Sequence, residues 1–203
     1  MKAVLISIQP KWCELIASGK KTVEVRKTVP KLEPPFKCYI YCTKKKKPDE
    51  YGDLIFYENP DGICVENGVP CSPLWTGKVI GEFVCDQIEE FTPTEKGIAF
   101  KRFRALYDSC LSVAEIRAYL GGKVGYGWHI SDLVIYDEPK ELSAFSGVCK
   151  FKNEDGTCRY REVACSFHNA DYNPDNTINL VECMRRVERP PQSWCYVEAD
   201  DGK

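Results

Sequence analysis

The spacing of hydrophobic and polar residues changes several times along the 203 residues. An apolar run from Ala3 to Ile8, ended by Gln9 and Pro10, predicts a first strand. Pro10 suits the first turn of a helix, and Trp12, Leu15 and Ile16 then recur at helical spacing until Gly19 caps the end. From Lys20 to Lys27 the period drops to two. Thr22, Glu24 and Arg26 point one way and Val23 and Val25 the other, which predicts a strand with one apolar face and one chemically loaded face. Pro30, Pro34 and Pro35 interrupt the chain before Lys37–Cys42, a further strand. Residues 43–77, rich in Gly, Pro, Asp and Asn with an aromatic run at Leu54–Tyr57, predict a hairpin-bearing insertion.

Val79 to Ile88 is apolar on both faces except for Glu82, the pattern of an interior strand. Ser112 and Glu115 form a capping box, Ile116 and Leu120 lie four apart, and Gly121–Gly122 stop that helix. Ile130–Tyr136 and Ser193–Val197 are the last two expected strands, separated by an irregular Cys-rich segment. About six strands and two helices, without repeats or heptads, predict an α+β fold built as a small mixed barrel with flanking helices.

A chain of this length buries roughly 70% of its unfolded surface, so folding needs neither disulfide nor metal. The N-terminal apolar run is too short for a signal-peptide core or a membrane span. The expectation is a cytoplasmic protein with no membrane partner, whose twelve cysteines are reduced thiols or metal ligands. Net charge is −2 but unevenly spread. Residues 1–47 hold twelve Lys/Arg against three Glu, which makes them +9 and leaves −11 for the rest. Such a basic region marks either a phosphate-contacting face or a solvated surface ending in the Lys44–Lys47 loop.

Four blocks carry a family resemblance: Leu5–Lys27 (LISIQPKWCELIASGKKTVEVRK), Gly77–Ile88 (GKVIGEFVCDQI), Ile130–Phe145 (ISDLVIYDEPKELSAF) and Arg189–Glu198 (RPPQSWCYVE). In this order they resemble the ASCH domain family, in its phage and prophage branch. The resemblance implies a PUA-like β-barrel over 1–145 plus 189–198, with 146–188 as a C-terminal Cys-rich insertion. It also implies a cleft between the first helix and the barrel that takes RNA or a modified nucleotide. Relatives include an amidohydrolase acting on acetylated cytidine and a ribonuclease.

The amidohydrolase pattern is a Lys, a Thr three positions on, an Arg two further and a Glu on a later strand. Lys21, Arg26 and Glu82 match, but Glu24 stands where the hydroxyl is expected. A carboxylate there replaces nucleophile chemistry with general-base chemistry on water, Glu82 being its partner, or removes the activity. Lys21, Glu24 and Glu82 are therefore the catalytic candidates. The alternative is an ion network of zero net charge that holds helix to sheet.

Candidate ligand contacts are Ser7, Lys11, Trp12, Lys20, Lys21, Arg26, Tyr126, Trp128, His129, Gln192 and Ser193. Cations would meet phosphates, flat rings would stack on a base, and hydroxyl and amide groups would read its edge. The aromatic residues could equally be core, Trp194 above all. Cys149, Cys158, Cys165 and His168 are spaced C-x8-C-x6-C-x2-H, one residue off at two gaps from CCCH zinc fingers, with Cys183 as an alternative fourth ligand. This predicts a structural zinc, the alternative being cysteines packed as small apolar groups. No Ser-His-Asp signature, P-loop or GxGxxG is present. RNA or nucleotide binding is the favoured function. An amidohydrolase or nuclease and a phage-encoded protein-binding accessory factor are the competitors.

Overall fold

The computed structural model of the chain describes residues 1–44, 64–66, 69–71, 75–99, 104–148, 170–172, 178–180 and 186–199. In chain order the elements are β1 (Lys2–Ile8), α1 (Pro10–Ala17), β2 (Val23–Arg26), β3 (Phe36–Cys42), β4 (Cys64–Glu66), β5 (Val69–Cys71), β6 (Val79–Cys85), β7 (Ile88–Pro93) and β8 (Ile98–Ala99). Then come α2 (Arg104–Asp108), α3 (Val113–Leu120), β9 (Gly125–His129), β10 (Ser131–Lys140), a 3-10 turn (Leu142–Ala144), β11 (Ala170–Tyr172), β12 (Ile178–Leu180) and β13 (Trp194–Glu198).

The strands form a five-stranded sheet ordered β10-β6-β3-β1-β13, a four-stranded sheet ordered β2-β9-β7-β8, and the hairpins β4-β5 and β11-β12. Among the described residues the two large sheets do not close into one barrel, which corrects the barrel expectation while keeping the α+β class. The hairpin expected between 43 and 77 is β4-β5. The proposed Cys-rich insertion lies mostly outside the described residues, as do all five zinc candidates.

β1 is buried along almost its whole length because both its faces are covered. Val4, Ile6 and Ile8 join the main core with Cys38, Ile40, Ile80, Phe83 and Trp128, while Ala3 and Leu5 join a second core with Tyr39, Tyr41, Val79 and Phe145. Pro10 opens α1 as predicted, and the left-handed turn after it falls on Gly19 (φ 71°). In α3 the Ser112 side chain accepts from the Glu115 amide, the Glu115 carboxylate accepts from the Ser112 amide, and Gly121 takes the left-handed cap. The long run Val79–Ile88 divides at Asp86–Gln87, so that Ile88 begins a strand of the other sheet.

Strand β9 was not legible in its sequence, GYGWH, because glycine hides the alternation. A Cβ on Gly127 would lie 2.9 Å from Phe91 and Val23, and one on Gly125 2.3 Å from Leu120. The four-stranded sheet therefore approaches α3 and its own third core of Val23, Val25, Phe91, Ile116 and Leu120 so closely that a side chain at either position would make Leu120, Phe91 or Val23 shift.

The chemically loaded face

β2 runs antiparallel to β9, with Glu24 opposite Trp128 and Arg26 opposite Tyr126. Directly paired residues project to the same face. The alternation read from the sequence therefore holds: Val23 and Val25 go to the third core, and Glu24 and Arg26 go with Trp128 toward the main core, between the sheets.

Three charges meet there. Lys21 is 1% exposed. Its ammonium donates to the carbonyls of Val23 (2.8 Å) and Ser109 (2.7 Å) and pairs with Glu24 Oε2 at 3.3 Å. An ammonium has three protons, so all its donors are committed. Arg26 Nη2 lies 2.9 Å from Glu24 Oε1 and donates to the Ser7 carbonyl at 2.6 Å. Arg26 Nη1 reaches the Ser193 carbonyl and hydroxyl only at 3.5 and 3.4 Å. The Ser7 hydroxyl donates to the Pro191 carbonyl at 2.6 Å, which fastens the 191–193 segment alongside. The two cations thus engage one oxygen each of Glu24, and two opposite charges beside it favour the ionised form and make it a weak proton acceptor.

Glu82 does not join them. It is paired with Tyr39 of the second core, so it stands on the opposite face of the five-stranded sheet from Trp128. There it accepts from Lys37 (2.9 Å) and the Tyr136 hydroxyl (2.7 Å). This corrects the convergence expected of Glu24 and Glu82. An acid inside an apolar strand does need a partner, but sheet pairing decides which side supplies it. Burial pushes the Glu82 carboxyl up. The Tyr136 and Lys37 hydrogen bonds outweigh burial and leave it below its ordinary range. A depressed carboxylate adds stability above its unfolded pKa and loses it as pH falls through the folded value. Glu82→Gln is thus expected to flatten the acid limb of a stability-against-pH curve below about pH 4.3 and to cost stability near neutrality. An unchanged acid limb in urea melts would refute the assignment.

Without Glu82, the Lys21–Glu24–Arg26 cluster carries one positive charge in excess. Glu24 is the only carboxylate in ion-pair contact with either cation among the described residues. Two further donors on this face, Arg26 Nε and Trp128 Nε1, are buried and have no acceptor among the described residues. Trp128 itself is fully buried, with Phe36 at 5.8 Å and Trp194 at 6.2 Å between ring centroids, so its body is core and only its N–H is left unspent.

The remaining candidates divide. Trp12 is half-buried over the cluster, with Lys11 Nζ 4.5 Å and Lys21 Nζ 5.2 Å from its ring centre. Lys11, Lys20 and Gln192 are exposed, and Tyr126 is half-buried against the main core. His129 follows Trp128 and so faces away from it, its Nδ1 2.6 Å from Asp86. Two residues outside the cluster escaped sequence reasoning. Tyr119 of α3 is 40% exposed, with Lys27 Nζ 4.9 Å over its ring. Their signal was faint: an exposed aromatic late in an amphipathic helix, and a lysine just past the end of a strand.

Four of the described cysteines pack as small apolar groups. Cys13, Cys38, Cys42 and Cys85 are buried thiols, and burial pushes the Cys85 thiol up to about 12 and raises Cys38. No group of three or more His, Cys, Asp or Glu among the described residues could hold a metal ion. Nor is any described helix long and apolar enough to cross a membrane.

The model of the ASCH domain family matches residues 6–126, more than half of the chain. No curated relative matches. Among solved structures, the crystal structure of ASCH from Zymomonas mobilis is similar at 18% identity and a TM-score of 0.46, covering 97% of this chain and 87% of that one. A single-substitution variant of it gives 17% identity and a TM-score of 0.48, over 97% and 88%. These comparisons reach the family and no branch within it.

Proposed function

The chain belongs to the ASCH domain family, and from that premise we propose that it binds RNA or a modified nucleotide on the face built by β2, β9 and α1. One observation supports this reading above the others: a buried cluster with a surplus cation and two unspent N–H donors. Each buried donor left unpaired costs about 1–3 kcal/mol, and buried charge is normally balanced. A network kept only for stability would gain by replacing Arg26 and Trp128 with groups that carry no idle donor. A ligand offering carbonyl or phosphoryl oxygens would balance the surplus charge and, on displacing the 191–193 segment that lies alongside, would pair the two buried donors as well. The long bonds from Arg26 Nη1 to Ser193 are the ones such a ligand would most readily displace.

In this reading Lys21 sets the cluster in place from behind, and Lys11 and Lys20 are the exposed cations able to meet phosphate. Glu24, held by two cations, orients Arg26. Fluorescence titration of short single-stranded RNA and of mononucleotides at low salt tests the proposal. Saturable binding weakened by Arg26→Lys, which keeps the charge but loses the guanidinium fork, supports it. No binding of either probe overturns it.

We also propose a structural zinc held by Cys149, Cys158, Cys165 and either His168 or Cys183, residues outside those described. A tetrahedral site of thiolates and one further ligand would staple a polar segment that has little core of its own. Elemental analysis of purified protein is expected to find about one zinc per chain. A content under about a tenth of an equivalent would rule the site out.

A further inference from the structure

The hairpin β4–β5 has a cysteine at the open end of each strand, and its register sets the two opposite one another. Cys64 is paired with Cys71, Val65 with Pro70 and Glu66 with Val69. The two residues between the strands, Asn67 and Gly68, are a sequence that strongly favours a two-residue turn. In such a hairpin the pair flanking the turn is hydrogen-bonded and the next pair is not. Pro70, which has no N–H to donate, stands in that second pair, so sequence and pairing agree on one register. Cys64 and Cys71 then form the following hydrogen-bonded pair, with Cα atoms about 5.5 Å apart. A disulfide spans Cα separations of about 4.4–6.8 Å. Among the described residues no other cysteine is paired directly with a cysteine across two strands. Cys38 and Cys85 are only diagonal neighbours, Cys38 being paired with Phe83 and Cys85 with Phe36. Such diagonals are about 7–8 Å apart, and burial holds both of those thiols protonated.

We infer that Cys64 and Cys71 are a redox-active thiol pair, which a small-molecule disulfide converts reversibly into a bridge across the β4–β5 hairpin. The chemistry is two successive thiol–disulfide exchanges. One cysteine thiolate attacks a sulfur of the small disulfide, a mixed disulfide forms, and one small thiolate leaves. The second cysteine thiolate attacks the sulfur of the first, the bridge closes, and the second small thiolate leaves. The pair loses two electrons and two protons, and the small disulfide gains them to become two thiols. Excess small thiol runs both steps backwards. A two-stranded hairpin is marginally stable by itself, so a bridge at its open end restricts its opening. Strand β5 runs beside α1, the helix that bears Lys11 and Trp12. Oxidation would thus fix the chain next to that helix, and reduction would release it. The pair stands on the hairpin register and does not depend on what the neighbouring face binds.

No lysine or arginine lies between Lys47 and Lys78, so one tryptic peptide holds Cys64, Cys71 and no other cysteine. The full chain would be equilibrated with mixtures of reduced and oxidised glutathione, alkylated, digested and read by mass spectrometry, before and after dithiothreitol. In the wild type that peptide is expected to lose both alkyl labels as the mixture becomes oxidising, to weigh two hydrogens less than the unlabelled reduced peptide, and to regain both labels after dithiothreitol. Cys64→Ser and Cys71→Ser each lack the second thiol, so the remaining cysteine should keep one glutathione instead. In denaturant, where the register is lost, closing the bridge should need a mixture more oxidising by about tenfold. Retention of both labels in the wild type overturns the inference. So does glutathione held on both cysteines, a bridge to a cysteine of another peptide, or a bridge that closes as readily in denaturant.

Discussion

Lys21→Met is expected to destabilise the protein by about 2–6 kcal/mol, because two carbonyls each lose a charged donor at about 1–3 kcal/mol apiece while Glu24 keeps Arg26. Methionine fills a similar volume, so the loss isolates the charge and its hydrogen bonds. The carbonyls of Val23 and Ser109 would lose their donor, and Glu24 would be left to Arg26 alone. The Ser109 bond spans 88 residues and joins the start of β2 to the turn between α2 and α3. Its loss would loosen α3 from the four-stranded sheet. Against a total stability of order 5–15 kcal/mol, such a change lowers the urea midpoint steeply. A loss under about 1 kcal/mol would show that Lys21 is not the tie its geometry describes.

The second large effect is at Trp128. Trp128→Ala empties the centre of the main core, where Phe36 and Trp194 lean on the indole, and is expected to cost about 3–5 kcal/mol. Trp128→Phe separates packing from polarity. It keeps most of the apolar contact and removes the N–H that has no acceptor among the described residues. Relief of about 1–3 kcal/mol then offsets much of the lost packing, so the melting temperature should change little. The same variant should bind RNA or nucleotide more weakly. A large stability loss in Trp128→Phe, with unchanged binding, would mean that the indole N–H serves the fold.

How far the sequence could be read is clear at particular residues. The alternation Thr22-Val23-Glu24-Val25-Arg26 was decisive, because period two assigns faces without any knowledge of the partner strand. The capping box at Ser112 and the proline at the start of α1 were equally local, and both stand. Glu82 was misassigned because the face of an interior strand has no local signal. Only its pairing with Tyr39, far away in sequence, sets it against Lys37 and Tyr136. β9 was invisible for a related reason, since Gly125 and Gly127 answer to the crowding of Leu120, Phe91 and Val23 rather than to strand propensity. The surplus charge of the cluster follows from the Glu82 correction, and so did not exist in the sequence reading, where the four residues balanced.

The central claim is that the unspent donors on the β2–β9 face await an acceptor from RNA or a nucleotide. The four tryptophans of the chain give four indole N–H resonances, and Trp128→Phe identifies the one that matters. Titration with single-stranded RNA and with mononucleotides, followed by NMR, reads that proton directly. The account predicts that the Trp128 indole resonance moves downfield and becomes slower to exchange as the ligand saturates, the response of an N–H that gains an acceptor. A Trp128 signal that stays in place while the ligand saturates and shifts other residues would contradict it.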